Sequence, residues 1–306
     1  MKKNVAILGA NGQVGFELCN TLKDSYALNP MPVPSHVVDI RNSDQIKALF
    51  DEHYISYVVN AAAYTAVDGA ETDITNCFLI NELGPYLLAK ECSTRGIPLI
   101  HLSTDYIFGG NKDTPYKESD KAQPSGMYAL SKFLGEEHVR REQPKHIILR
   151  TSWVYSSRRH NFVKTMLKLG QVRDTLDVVD DQMGCPTPAS YLSDAIKMIL
   201  LWAELNSDHF GVDKWGTYHY CGLESVSWYQ FAEQIFRAAN YDLISSETGR
   251  FIRLNRTSTK DFGALAPRPH NSVLDCTKIR KAFGVRQLSW EESLPDLVSS
   301  LMPNYV

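Results

Sequence analysis

Tyr128 and Lys132 stand four residues apart, with Ser103-Thr104-Asp105 upstream of them. On a helix such a pair shares one face, with Cβ atoms about 5–6 Å apart, so the ammonium lies beside the phenol. A phenol of pKa about 10 is a weak acid-base group at neutral pH, and a neighbouring cation stabilises its phenolate. Lowering that pKa by about two to three units takes roughly 3–4 kcal/mol, which an ammonium in a desolvated cleft supplies. The Thr104 hydroxyl would hydrogen-bond a substrate carbonyl oxygen and stabilise the charge that develops on it. A proton donor and a carbonyl polariser together suit carbonyl reduction, with Lys132 also suited to holding the ribose of a hydride carrier. Tyr86 and Lys90 repeat the spacing, but no hydroxyl-rich strand end precedes them, and they read as a core tyrosine and a surface lysine.

The hydride carrier has its own signal. Gly9-Ala10-Asn11-Gly12-Gln13-Val14-Gly15 follows the apolar run Val5 to Leu8 and opens a segment with helical spacing through Val14, Leu18 and Leu22. In this strand, glycine turn and helix, Gly9 and Gly12 let backbone approach a pyrophosphate and Gly15 allows close helix packing, while the helix N-terminus faces the anion. The acid usually found about 20 residues beyond the glycines, on the adenosine ribose, is missing from Leu28-Asn29-Pro30-Met31-Pro32. Its absence removes a repulsion against a 2′-phosphate, and no Arg or Lys stands in that stretch to attract one. The cofactor is therefore read as NADPH or NADH, with a lean to NADPH. Asp39 either reaches the adenine end or caps a helix starting near Ser43.

These residues need a scaffold that brings strand ends together. Ile55 to Val59, Pro98 to Leu102 and His146 to Leu149 are further buried-strand candidates, each but the last followed by a helical stretch. The alternation predicts an α/β, Rossmann-like, doubly wound parallel sheet over residues 1–155, with Asn60-Ala61-Ala62-Ala63 and Ser103-Thr104-Asp105 at strand carboxyl ends. Residues 156–306 read as mainly a smaller α/β substrate-binding lobe, with elements near 175–205 returning to the first domain. Helices are expected there over 189–203, 228–239 and 290–301.

The 306 residues are 43% hydrophobic and 22% charged, with net charge −3, so no overall basic field argues for nucleic acid or an anionic membrane. The six cysteines are scattered without C-x-x-C or zinc-finger spacing, which suggests neither a metal site nor a disulfide framework and fits reduced thiols in a cytoplasm. The apolar runs are too short for a secretory signal or a membrane span.

The chain resembles the extended short-chain dehydrogenase/reductases and, within them, the dTDP-4-dehydrorhamnose reductases. The resemblance runs almost end to end: Gly9 to Gly15, Val59 to Asp68, Ser103 to Phe108, Tyr128 with Lys132, Arg150 to Tyr155, Asp181 to Thr187, and Arg268-Pro269-His270-Asn271-Ser272. It implies NAD(P)H-dependent reduction of the C4 keto group of dTDP-6-deoxy-L-lyxo-4-hexulose to dTDP-L-rhamnose, with the proton from Tyr128. It places Gly12, Gln13 and Val14 on the pyrophosphate, Asp39 and Ile40 on the adenine, Ala63, Tyr64 and Thr65 on the middle of the cofactor, and the backbone of Leu102 beside it. Thr104, Asp105 and Trp153 would hold the sugar with Tyr128 and Lys132, and Arg268 is the candidate cation for the diphosphate, or else pairs with a surface carboxylate. Some members join as homodimers through magnesium held by glutamates. Glu17 and Glu292 match two of these, but Ser190 stands where the third is expected. Related reductases act on other nucleotide-linked 4-keto sugars, and the regulatory β subunit of methionine adenosyltransferase resembles the same family, so both remain alternatives.

Overall fold

Lys3–Leu8 forms the first strand, β1, and its last four residues are buried whichever face they point to, as in the interior of a parallel sheet covered on both sides. The computed structural model describes residues 1–206, 214–243 and 250–305. After β1 come α1 (Gln13–Lys23), β2 (Leu28–Val33), α2 (Ser43–Glu52) and β3 (Tyr57–Asn60). Next are α3 (Ile74–Phe78), a π-helical turn over Leu79–Leu83, α4 (Gly84–Arg95), β4 (Leu99–Thr104), α5 (Met127–Glu142) and β5 (His146–Thr151). The second half runs β6 (Val154–Tyr155), α6 (Phe162–Gly170), β7 (Thr175–Val179), β8 (Met183–Gly184), β9 (Thr187–Pro188), α7 (Ala189–Leu205) and β10 (Gly216–His219). It ends with β11 (Val226–Ser227), α8 (Trp228–Ala238), β12 (Arg253–Thr257), α9 (Thr259–Phe262), α10 (Thr277–Phe283) and α11 (Trp290–Leu301).

Six strands form one parallel sheet in the order β10-β5-β4-β3-β1-β2, the doubly wound arrangement expected from the alternation. Pro30 and Pro32 lie in β2, which is an edge strand. Ala27 and Val33 accept hydrogen bonds from Lys3 and Gly9, so odd-numbered residues face β1 and the two prolines fall on the open side, where no strand needs their missing N–H. Alternate strand residues feed two cores. Ile7, Val59, Ile100 and Leu149 pack with Leu18 of α1 and Ile196 of α7, whereas Leu8, Val58, Leu99 and Ile148 pack with Leu88 of α4 and Val139 of α5.

A third core fills the second lobe, where Val163 of α6, Phe231 and Ile235 of α8, and Trp290 and Leu294 of α11 meet. Ser227 closes a capping box with Gln230 at the start of α8, which fixes where that helix begins. The three helices expected over 189–203, 228–239 and 290–301 are α7, α8 and α11. Helix α7 packs on α1, and β10 extends the main sheet beside β5, so the large sheet layer draws on residues well beyond 155. Strand β7, by contrast, pairs with β12 in the second lobe. All six cysteines are buried free thiols. Among the described residues no helix is long and apolar enough to cross a membrane.

Candidate active site

Strand β1 leads to β2 on one side and then to β3 on the other, and the crevice opens at that reversal. The carboxyl ends of β1, β4 and β5 and the loop after β3 line one cleft of about 920 Å³. At its floor Gly9 adopts φ +74°, and a Cβ there would stand 2.7 Å from the Ala62 nitrogen and 2.8 Å from the Ala61 carbonyl oxygen. A side chain on Gly15 would run into the Gly9 carbonyl, so its absence lets α1 press onto the turn. Gly12 caps α1 without a side-chain acceptor, and the first turn holds no acid, so the helix N-terminus presents free N–H groups suited to a pyrophosphate. Gln13 braces the turn against the other wall: Asn161 and Ser156 donate to its Oε1 at 2.9 and 3.2 Å, and its Nε2 donates to the Val154 carbonyl at 3.2 Å.

At the far end Asp39 and Ile40 line the cleft with Arg41. Arg41 grips Asp39 at 2.7 Å, and its hydrogen bonds hold the Asp39 carboxyl below its ordinary range. Sequence reading restricted to Leu28 to Pro32 missed this cation. Val33 ends β2 and Ser35 also lines the cleft, so the loop that carries the charged pair lies several residues further along the chain than the usual spacing suggests.

The residues expected to transfer a proton converge at the other end. Thr104 ends β4, Tyr128 opens α5 one turn before Lys132, and all three line the cleft, with Thr104 and Lys132 buried. The expectation that Lys132 lowers the Tyr128 pKa is not met in the free chain. Lys132 Nζ donates to the Leu102 carbonyl at 2.6 Å, while burial pushes the Tyr128 phenol up to about 12, with the Asp105 carboxyl also raising it and the Thr104 hydroxyl pulling it down. Burial likewise brings the Lys132 ammonium down to about 8, opposed by Glu136 one turn further along α5. Tyr106 meets Tyr128 edge to face, with ring centroids 5.9 Å apart. Thr104 Oγ1 donates to Asp105 Oδ1 at 3.0 Å, so in the free chain its proton is engaged by the neighbouring carboxyl.

Beneath Lys132 lies an ion network. Glu136 is fully buried and is gripped by Arg150 of β5, whose Nε donates to both carboxylate oxygens at 2.9 and 3.2 Å and whose Nη2 donates at 2.7 Å, with Arg140 as a second cation. On the opposite wall Trp153 has φ +44°, a left-handed conformation that is an outlier for a bulky residue and concentrates at functional sites. Its ring stacks on Trp228 with centroids 3.4 Å apart, and a side chain on Gly184 would collide with it. Trp228, at the start of α8, also lines the cleft and was not singled out from sequence, because a tryptophan opening an amphipathic helix reads as core.

Residues 2–302 match the family model described as RmlD substrate binding domain. The chain belongs to the RmlD substrate binding domain family. Within it the chain is 39% identical to the dTDP-4-dehydrorhamnose reductase of Sinorhizobium fredii over 97% of each chain, and 38% identical to that of Aggregatibacter actinomycetemcomitans over 95% of this chain and 97% of the relative. A solved dTDP-4-dehydrorhamnose reductase from Bacillus anthracis, in complex with NADP, superposes with a TM-score of 0.87 at 34% identity, covering 98% of this chain and 100% of that one.

In this RmlD-family chain the cleft brings together Gly9, Gly12, Gln13, Val14, Asp39, Ile40, Ala63, Thr65, Leu102, Thr104, Asp105, Tyr128, Lys132 and Trp153 from the sequence reading. Gly15 acts from behind the turn. Tyr64 does not line the cleft: its backbone is clamped by Asn81, which accepts from its N–H at 2.9 Å and donates to its carbonyl at 3.0 Å, and its hydroxyl lies over Gly69. Arg268 stands outside the lining, paired with Asp68 at 2.7 Å, which was the alternative weighed for it. Tyr86 is half-buried rather than core, with the exposed Lys90 about 6.0 Å above its ring. Glu17 of α1 and Ser190 of α7 lie one turn from Thr21 and Ser193, which hydrogen-bond at 2.9 Å, while Glu292 is exposed on α11. Among the described residues no group of three or more His, Cys, Asp or Glu side chains is arranged to hold a metal ion.

Proposed function

We propose that this chain is an NAD(P)H-dependent dTDP-4-dehydrorhamnose reductase, reducing the C4 keto group of dTDP-6-deoxy-L-lyxo-4-hexulose to give dTDP-L-rhamnose. The observation that carries this reading is the convergence of Thr104, Tyr128 and Lys132 in the same cleft as the glycine turn. The full-length relatives named for this activity, one of them solved with NADP, support the choice of substrate and cofactor.

The turn at Gly9 and the open first turn of α1 fit a pyrophosphate, and Asp39, Ile40 and Arg41 fit the adenosine end. The dinucleotide supplies the hydride when bound. Lys132, held at the Leu102 carbonyl, would grip the nicotinamide ribose and add positive charge beside Tyr128. Tyr128 would donate its proton to the C4 oxygen as negative charge develops there, and the phenol carries that proton at working pH. Thr104 would polarise the same oxygen, and Trp153, backed by Trp228, would wall the sugar. For the substrate diphosphate, Arg268 would exchange Asp68 for phosphate oxygens.

The test is the loss of nicotinamide absorbance with NADPH and then NADH, using freshly generated dTDP-6-deoxy-L-lyxo-4-hexulose. Rapid oxidation is expected. Binding of both cofactors without oxidation would overturn the substrate assignment and direct the search to other nucleotide-linked 4-keto sugars.

A further inference from the structure

Thr104 has one proton to give and two lone pairs. One lone pair is filled by the Tyr106 N–H at 3.2 Å, and the proton goes to Asp105 Oδ1 at 3.0 Å. That direction conflicts with polarising a sugar oxygen, which needs the same proton. An ionised carboxylate is acceptor-only, so while Asp105 is charged it keeps Thr104 turned toward itself. A protonated Asp105 reverses the bond: its O–H donates to the second lone pair of Thr104, and the threonine proton is freed toward the cleft, on the side where the Tyr128 hydroxyl also meets Thr104.

The surroundings of Asp105 suit the neutral acid. The residue is only 2% exposed, and its Oδ2 has no hydrogen-bond partner. Ser272 touches the carboxyl, but its Oγ also donates to the Met183 carbonyl at 3.3 Å, so one proton serves two acceptors. The groups facing Asp105 are Tyr128 from α5, Tyr106 beside it, and the thiols of Cys185 and Cys221 that follow β8 and β10. Arg268 reaches Tyr106 and pairs with Asp68. Among the described residues no lysine or arginine forms an ion pair with Asp105.

We infer that Asp105 is a positioning residue that works in its protonated form, its proton directing the Thr104 hydroxyl toward the reacting sugar oxygen. This rests on the reductase reading above. Burial pushes the Asp105 carboxyl up to about 7, which makes the neutral form available at working pH. Neutral Asp105 also removes a charge that raises the Tyr128 pKa, so the same proton makes Tyr128 a better donor.

The test compares turnover at pH 8 and pH 6 within the wild type and within D105N, so any change in sugar affinity common to both pH values drops out. With an Asp105 pKa of about 7 and a Lys132 pKa of about 8, wild-type turnover should fall about twentyfold between those pH values. The D105N amide can donate to Thr104 at either pH, so the fall should shrink to the roughly twofold that Lys132 alone imposes. A D105N profile as steep as the wild type overturns the inference. So does a loss of turnover beyond about 1,000-fold at both pH values with sugar still bound, because the site would then need a carboxylate acceptor. A second measurement needs no activity: carboxyl 13C resonances of aspartate-labelled wild-type protein should include one that titrates near 7. If every aspartate titrates below about 5, the inference fails whatever the substrate proves to be.

Discussion

Replacing Glu136 with Gln removes the charge that holds two arginines and faces Lys132, the lysine proposed to work beside Tyr128. Glu136 has no exposed surface and Arg150 is only 3% exposed, and the two are joined by paired hydrogen bonds of 2.9 and 2.7 Å. Burial works to raise the Glu136 pKa, but the Arg150 and Arg140 charges prevail and hold it below its ordinary value. The substitution leaves the guanidinium of Arg150 in the core without a counter-charge, and breaking a buried pair in this way costs about 3–5 kcal/mol. For a chain of this size, about 2 °C of melting temperature is lost per kcal/mol, so the variant should melt about 6–10 °C lower. Differential scanning fluorimetry at pH 7 checks this. A variant melting within about 2 °C of the wild type would refute the view that this pair is a structural keystone. The chemistry should move as well. Glu136 supports the Lys132 ammonium against burial, so its removal lowers the Lys132 pKa. The protonated fraction then declines at a lower pH, and the alkaline limb of the pH–rate profile should shift to the acid side. An unshifted limb would mean that Lys132 is not tuned from below.

Tyr128→Phe should lose at least about 100-fold in turnover while binding NADPH normally, because general-acid help is typically worth 10²–10⁴, and near-normal turnover would remove Tyr128 from its role. Arg41→Ala leaves the Asp39 carboxylate uncompensated at the proposed adenosine end, so the KM for NADPH should rise about tenfold more than that for NADH; equal changes would place the 2′-phosphate elsewhere. Arg268→Ala should raise the KM for the sugar nucleotide more than it lowers turnover, as loss of uniform binding does, whereas an unchanged KM would leave Arg268 as the partner of Asp68 alone.

Most of the scaffold is legible in local patterns. The short apolar runs at Val5, Tyr57, Leu99 and His146 are strands because a strand buried on both faces needs no alternation, and the glycine turn marks where the first of them yields to a helix. Edge strand β2 is harder to read, since its two prolines argue against a strand until its open side is known. Arg41 and Trp228 were hidden for a related reason. Neither belongs to a motif, and each reaches the cleft only because a loop or a helix end folds back over the strand ends.

The residue types and their spacing by themselves determined the class of chemistry, the glycine cradle and the helix that carries Tyr128 and Lys132 together, because each depends on local steric rules or on the 3.6-residue turn. Tertiary structure alone decided the electrostatics. It sent the Lys132 ammonium to the Leu102 carbonyl, buried Asp105 without a cation, set Arg150 against Glu136, and took Arg268 to Asp68. Proton affinities depend on desolvation and on charges a few ångströms away, and those neighbours come from segments far apart in the chain.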